Sequence, residues 1–120
     1  MTGVQTCALP ICALRETPWL KLIDVVVPPV IQAWDLGPGE SAVLAWAHEH
    51  PGSEAIIDDL AARRCAAVLG VPVRGTLGLV LLAKQRGRVA LARPVIDALR
   101  REGMYLSDRI VDAALALVGE

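Results

Sequence analysis

Three carboxylates in the sequence have the types and spacing that suit a divalent-metal site. Glu40 lies in the segment WDLGPGESAVLAWA, residues 34–47, and Asp58 and Asp59 follow the apolar run EAII. Hard cations such as Mg²⁺ and Mn²⁺ are bound by carboxylates and water. Ions of this kind activate a water molecule and neutralise phosphodiester oxygens during in-line displacement. Glu40, Asp58 and Asp59 are therefore candidate metal ligands and candidate catalytic residues.

A helix predicted over Pro38–His48 must position Glu40. With Gly37 as its N-cap, Pro38 takes the first helical position, where the fixed φ angle of proline suits a helix. Glu40 then lies in the first turn, at the rim of the buried face. The apolar residues of that face are Val43, Leu44 and Ala47. An acid in the first turn is also favoured by the helix dipole alone, so the position by itself does not require a ligand.

The aspartate pair lies where a predicted strand meets a predicted helix. The run EAIID, residues 54–58, is typical of a short buried parallel strand, and LAARRCAAVLG is typical of a helix that stops at Gly70. Open α/β sheets place their ligand sites at the carboxyl ends of parallel strands. Either Asp58 or Asp59 could cap the helix, but capping requires only one of them. We therefore expect at least one aspartate to remain for a ligand.

Short strands alternate with helices along the rest of the chain. β-Branched residues predict a strand over Lys21–Val27, and VPV predicts another over 71–73. Three further helices are predicted over TLGLVLLAKQRG, LARPVIDALRREG and SDRIVDAALALVG. The first of them is apolar on nearly all sides, so we expect it to be heavily buried, and Ser107 should cap the last. The alternation predicts an α/β domain with a short parallel sheet and a helical C-terminal tail.

Composition and cysteine usage exclude several classes of protein. The 120 residues fit one domain, and the apolar runs are too short to predict a membrane span. The first residues lack the basic and apolar regions of a signal peptide. The three cysteines show no zinc-binding spacing. Reduced thiols and a cytoplasmic location are expected, with no membrane partner.

Charge divides the chain into an acidic and a basic half. Residues 1–62 contain two basic and eight acidic side chains, whereas residues 63–120 contain ten basic and five acidic ones. Such asymmetry indicates contact with nucleic acid or another anion, although charges on solvated helix faces give the same pattern. The candidate substrate contacts near the acids are Arg63, Arg64, Arg74 and Thr76.

The first twelve residues, MTGVQTCALPIC, differ in pattern from the rest of the chain. They have no helical or strand period, and Pro10 interrupts their apolar run. The string resembles the conceptual translation of a common sequencing adapter. We therefore expect residues 1–12 to be a non-native segment, and residues 13–120 to be a partial domain whose native N-terminus is missing.

Four segments resemble, in order and spacing, the PIN-like domains that are predicted to bind nucleic acids. They are LGPGESAVLAWA, AIIDDLAAR, LGVPVRGTLGLVLLAKQRG and MYLSDRIVDAALALVGE. The resemblance covers residues 19–120 and implies a three-layer α/β/α fold around a central parallel sheet. It also implies a ribonuclease that depends on Mg²⁺ or Mn²⁺, and many members of the family are the toxin of a toxin–antitoxin pair.

The resemblance assigns family positions to four residues. Glu40 corresponds to the helix-borne acid, Asp59, with Asp58 beside it, to the acid after the fourth strand, and Thr76 to a variable polar position after the fifth. The first strand of the family lies in the middle of the sheet and ends in Asp or Asn. Nothing before Trp19 resembles it, so an incomplete metal site and a missing central strand are expected.

Two functions remain open from the sequence. The first is a PIN-type, metal-dependent ribonuclease that acts on RNA and serves as a toxin held by an antitoxin protein. The second is a catalytically degenerate module that binds RNA or a protein partner without cleaving it. Either could form a homo-oligomer.

Overall fold

The computed structural model describes residues 16–120. The expectation that residues 1–12 are foreign, and the place of any strand before Glu16, lie outside this range. The elements in chain order are α1 (Pro29–Gln32), α2 (Pro38–Glu49), β1 (Ala55–Ile56), α3 (Leu60–Leu69), β2 (Val73–Arg74), α4 (Thr76–Gln85), α5 (Arg93–Arg101) and α6 (Asp108–Leu117). They form an α/β fold with a short parallel sheet and a helical C-terminal part, as predicted.

The sheet of the described chain consists of β1 and β2, which run parallel with Ala55 opposite Val73. The amide of Ala55 donates to the Pro72 carbonyl at 2.8 Å, and the amide of Ile57 donates to the Arg74 carbonyl at 3.0 Å. Helix α3 provides the long crossover that two parallel strands require. The predicted strand over 71–73 is displaced toward Arg74, because Pro72 has no N–H and contributes only its carbonyl.

The predicted strand over Lys21–Val27 is wrong. These residues form neither a strand nor a helix. Their β-branched side chains favour an extended chain, but a strand also needs a neighbour with which to pair, and no described strand forms a ladder with these residues. Val25 and Val27 instead pack against buried side chains, while the Gln32 side-chain amide donates to the Val27 carbonyl at 2.8 Å.

Two separate groups of buried side chains form the core. The N-terminal cluster combines α1, α2, the strands and α3, and its fully buried members include Ile31, Leu44 and Cys65. Burial raises the pKa of the Cys65 thiol, which makes that thiol a poor nucleophile. Helix α3 ends, as predicted, at the left-handed Gly70, whose φ is 74°.

The C-terminal cluster joins α4, α5 and α6 through Val80, Ala92, Ile96, Val111 and Leu115. The side chain of Ser107 caps α6, as predicted, by accepting a hydrogen bond from the Ile110 amide at 3.3 Å. Among the described residues, no helix is both long enough and apolar enough to cross a membrane.

The expectation that α4 would be heavily buried is wrong. Val80 is its single buried residue, and Leu79 is 43% exposed. Only one face of α4 packs against α5 and α6, so an apolar sequence on every side does not give burial on every side.

Candidate functional site

The structure brings the three predicted acids to one pocket of about 320 Å³. The pocket lies at the carboxyl end of β1, between that strand and the start of α2. Its lining residues are Gly39, Glu40, Val43, Ile56, Ile57, Asp58 and Asp59. Fold topology explains the convergence, since β1 leads directly into the aspartates while the first turn of α2 carries Glu40 past the same strand end.

Glu40 is the acid of the pocket for which the described residues provide no partner. Its side chain is half-buried, and within the described residues it accepts no hydrogen bond and forms no ion pair. A Cβ atom on Gly37 would lie 2.6 Å from Glu40 Oε2, so the carboxylate folds back over the glycine that precedes the helix. The absence of a side chain at Gly37 therefore permits this position of the acid.

Asp59 is the N-cap of α3. Its Oδ2 accepts a hydrogen bond from the Ala62 amide at 2.9 Å, which satisfies one of the free N–H groups in the first turn. The other carboxylate oxygen has no protein donor in the described chain. Asp59 can therefore cap the helix and still present one oxygen to the pocket.

Asp58 caps a different helix. Its Oδ1 accepts from the Thr76 amide at 2.8 Å, and its Oδ2 accepts from the Thr76 hydroxyl at 2.5 Å. Gly75, the N-cap residue of α4, has no side chain with which to do this itself. Capping of α3 occupies only Asp59, as expected, but Asp58 is not left free, because it closes the start of α4.

The candidate substrate-binding arginines lie in different surroundings. Arg63 is exposed, and its Nη1 lies 3.1 Å from where a Cβ of Gly75 would be, so its guanidinium borders the start of α4. Arg64 is exposed and forms no ion pair with the described residues.

Arg74 is held by Glu54. The Arg74 Nε donates to one carboxylate oxygen at 2.8 Å and Nη2 donates to the other at 3.2 Å. Its hydrogen bonds to the Glu54 carboxylate raise the pKa of the Arg74 guanidinium. This pairing balances the charge of Arg74 and leaves it less suited to phosphate binding than Arg63.

This ion pair was not predicted from the sequence, although it follows from the register of the two strands. Glu54 immediately precedes Ala55 in β1, and Arg74 lies opposite Ile56 on β2. Side chains on adjacent strands that are two positions apart can still reach one another when both are long. Knowledge of the register would therefore have predicted the contact.

The carboxylate oxygens of the pocket suit a hard divalent cation that keeps several water ligands better than a cation bound by protein groups alone. Within residues 16–120, no three His, Cys, Asp or Glu side chains converge on one point. Glu40 and Asp59 nevertheless line the same pocket, and within the described residues neither Glu40 nor the second carboxylate oxygen of Asp59 has a protein donor. Mg²⁺ is commonly bound by one or two carboxylates together with several waters, so these two residues could hold it, with Asp58 beside them.

A larger groove, of about 530 Å³, lies along β1 on the side of Lys21 and Trp46. Its walls are mostly apolar, and its one acid, Glu54, is already paired with Arg74. The smaller acidic pocket is therefore the better candidate for metal-dependent chemistry.

Comparison with known proteins finds a match among family models. No curated protein and no solved structure matches the chain. The family model DUF3368, described as a PIN domain, matches residues 6–120. This match spans nearly the whole chain and includes every residue of the pocket. The chain therefore belongs to the PIN-domain family.

Proposed function

We propose that this domain is a metal-dependent endoribonuclease that cleaves single-stranded RNA. The observation that supports the proposal is the shared pocket of Glu40, Asp58 and Asp59 at the carboxyl end of a parallel strand. A nuclease needs negative oxygens that recruit a cation next to an open surface where a phosphodiester can lie. The pocket supplies such oxygens, and the guanidinium of Arg63 lies near Asp58 at the start of α4.

Each residue of the pocket has a distinct part in this proposal. Glu40 and Asp59 hold Mg²⁺ or Mn²⁺, which when bound supplies an activated water and neutralises developing charge. Thr76 fixes the direction of Asp58 through its amide and its hydroxyl. Arg63 and the exposed Arg64 contact phosphate oxygens, for which a guanidinium is well suited. Arg74 contributes less, because Glu54 already binds it.

A specific observation favours a second candidate, a degenerate PIN domain that binds RNA or a protein without cleaving. Asp58 and Asp59 are both used as helix caps, and no three potential ligands of the described chain lie close enough together to bind one metal ion. Under either proposal the protein acts in the cytoplasm. As a nuclease it would be a toxin held in check by an antitoxin protein.

The two candidates differ in cleavage. Incubation of the full chain with a fluorescent single-stranded RNA and Mn²⁺ should give shorter products, and EDTA should abolish them. Glu40→Gln and Asp59→Asn should each lower the cleavage rate by at least about 100-fold, since each removes a charge on which the cation depends. Glu49→Gln, at the far end of α2, is the matched control and should leave the rate unchanged.

The Glu40 and Asp59 variants also test for contamination by another nuclease, because a contaminating activity would not depend on these residues. Cleavage that persists in the Glu40 and Asp59 variants would contradict the proposed activity of this pocket. RNA binding without any Mn²⁺-dependent cleavage would instead support the degenerate binding module.

A further inference from the structure

The loop between α4 and α5 has a fixed backbone. Helix α4 has Arg86 as its C-cap, and the left-handed Gly87, whose φ is 70°, follows it. The amide of Gly87 donates to the Lys84 carbonyl at 3.0 Å, and the amide of Arg88 donates to the Ala83 carbonyl at 2.8 Å. This pair of hydrogen bonds is the Schellman motif, which satisfies the last carbonyls of a helix and sets the direction of the chain after it.

Glu120 closes the other end of the same loop. Its Oε2 accepts from the Lys84 ammonium and from the Ala92 amide, both at 2.7 Å, and its Oε1 accepts from the Arg93 amide at 3.2 Å. One carboxylate thus joins the last turn of α4 to the first turn of α5. We call these four residues the Glu120 clasp.

The loop that the clasp holds presents three cations that have no ion-pair partner in the described part of the chain. Arg86, Arg88 and Arg93 are all exposed, and none forms an ion pair with a described residue. The chain has no acidic residue from Leu60 to Ile96. The nearest basic residues before and after the loop are paired instead: Lys84 is bound by Glu120, and Arg100 is bound by Asp108.

Three guanidinium groups on one short, fixed loop repel one another, and this repulsion is relieved when a polyanion lies across them. The backbone of the loop is already ordered by the clasp and by the helix end, so binding there costs little additional conformational entropy. A chain of phosphates is the ligand that best matches several separated guanidinium groups.

We propose that residues 86–93, the arginine loop, form a phosphate-contacting surface for single-stranded RNA, an inference that rests on the proposed function. Helix α4 runs from Thr76, which binds Asp58, to Gln85 at the start of the loop. Its ten residues span about 15 Å. The arginine loop is thus one helix length from the acidic pocket, where it contacts the RNA away from the cleaved bond.

Salt dependence of RNA binding tests the proposal. Anisotropy of a labelled 20-nucleotide oligouridylate would be measured with the full chain at several KCl concentrations, in EDTA so that the probe stays intact. The variant Arg86→Gln/Arg88→Gln should reduce the slope of log K against log[KCl] by about 1.4, because each lost phosphate contact on a single strand removes about 0.7.

The matched control removes the same charge at the other end of the C-terminal helices. Arg101 and Arg109 are exposed and unpaired within the described chain. Arg101→Gln/Arg109→Gln should therefore leave the slope unchanged, and both double variants should unfold at the temperature of the parent protein. Equal slopes for the two variants would overturn the proposal, whether both fall or neither does.

The Mn²⁺-dependent cleavage assay distinguishes failure of this inference from failure of the proposed function. If the slope depends on the arginine loop but Mn²⁺ gives no cleavage, the RNA surface stands and the nuclease proposal fails. If the protein cleaves RNA while the slope is independent of the loop, the nuclease proposal stands and this inference is wrong. A chain that does not bind the oligouridylate at all also overturns it, and leaves an acidic protein as the class of partner to examine.

Discussion

Asp58 and Glu120 perform the same structural task in the two halves of the molecule, but in different surroundings. Each carboxylate accepts hydrogen bonds from the start of a helix that is distant in sequence. Asp58 is exposed at a pocket, whereas the side chain of Glu120 is only 10% exposed and binds Lys84 as well. The hydrogen bond from Lys84, followed by that from the Ala92 amide, lowers the pKa of Glu120 to about 2.

The comparison indicates that Glu120 has a structural role, whereas Asp58 can also contact a ligand. Glu120 is surrounded by donors, so its charge stabilises the folded C-terminal cluster. Among residues 16–120, Asp58 receives donors from Thr76 alone, and it borders a pocket with two further acids. A helix cap therefore does not by itself exclude a functional role, and the surroundings of the carboxylate decide.

The largest expected effects come from the cores of the two halves. Leu44 is 0% exposed and Leu115 is 1% exposed. Leu44→Ala and Leu115→Ala should each lower the free energy of unfolding by about 2–5 kcal/mol, through lost transfer energy and a cavity. Urea denaturation measures this. Leu117→Ala is the control on the same helix as Leu115, because Leu117 is 76% exposed; an equal loss there would contradict the assigned core.

Glu120→Gln should cause the next largest loss and should change the pH dependence of stability. The pKa of Glu120 falls from an ordinary 4.5 to about 2 on folding. Its contribution is therefore fully present above about pH 4.5 and is lost as the pH falls toward 2. Thermal denaturation between pH 7 and 2 should show that the variant loses less stability than the parent over this window. Parallel pH profiles would show that the clasp does not form.

The caps at the pocket should have smaller effects. Asp58→Ala and Asp59→Ala each remove a cap and should each cost about 1 kcal/mol of stability, as is usual for such substitutions. Thr76→Val, which removes only the hydroxyl donor to Asp58, should cost less than Asp58→Ala. Chemical denaturation of the three variants provides the comparison, and a neutral Asp58→Ala would mean that α4 does not depend on this carboxylate.

The smallest predicted effects distinguish two glycines at the start of α2. A Cβ on Gly39 meets open space, so Gly39→Ala should stabilise the protein by about 0.5–1 kcal/mol. A Cβ on Gly37 meets Glu40 Oε2 at 2.6 Å, and alanine is also a poor N-cap. Gly37→Ala should therefore give no stabilisation and should alter Mn²⁺ affinity in a calorimetric titration. Equal Mn²⁺ affinities for the two variants would contradict the position of Glu40.

The sequence was sufficient for those features that depend on local chemistry. Gly37 before Pro38 predicted the start of α2, Gly70 the end of α3, and Ser107 the cap of α6. The two aspartates after a short apolar run also predicted the carboxyl end of a strand, which is where open α/β sheets place their ligand sites.

The errors concern contacts between residues that are far apart in sequence. The partner of Thr76 is eighteen residues away, and the partners of Glu120 are thirty-six and twenty-eight residues away. A strand over Lys21–Val27 was predicted from β-branching, which does not report whether a neighbouring strand exists. Apolar residues on every side of α4 likewise do not show which side meets another helix.

The Glu120 clasp also has a consequence for the kinetics of folding. Its hydrogen bonds join α4 and α5 to a residue that follows α6, so the three helices must already be in place before they form. Contacts that close such long loops carry an entropic cost and tend to be absent from the transition state. Loss of the clasp should then leave the folding rate almost unchanged and appear as faster unfolding. Glu120 would thus set how long the C-terminal helices stay together, more than how quickly they assemble.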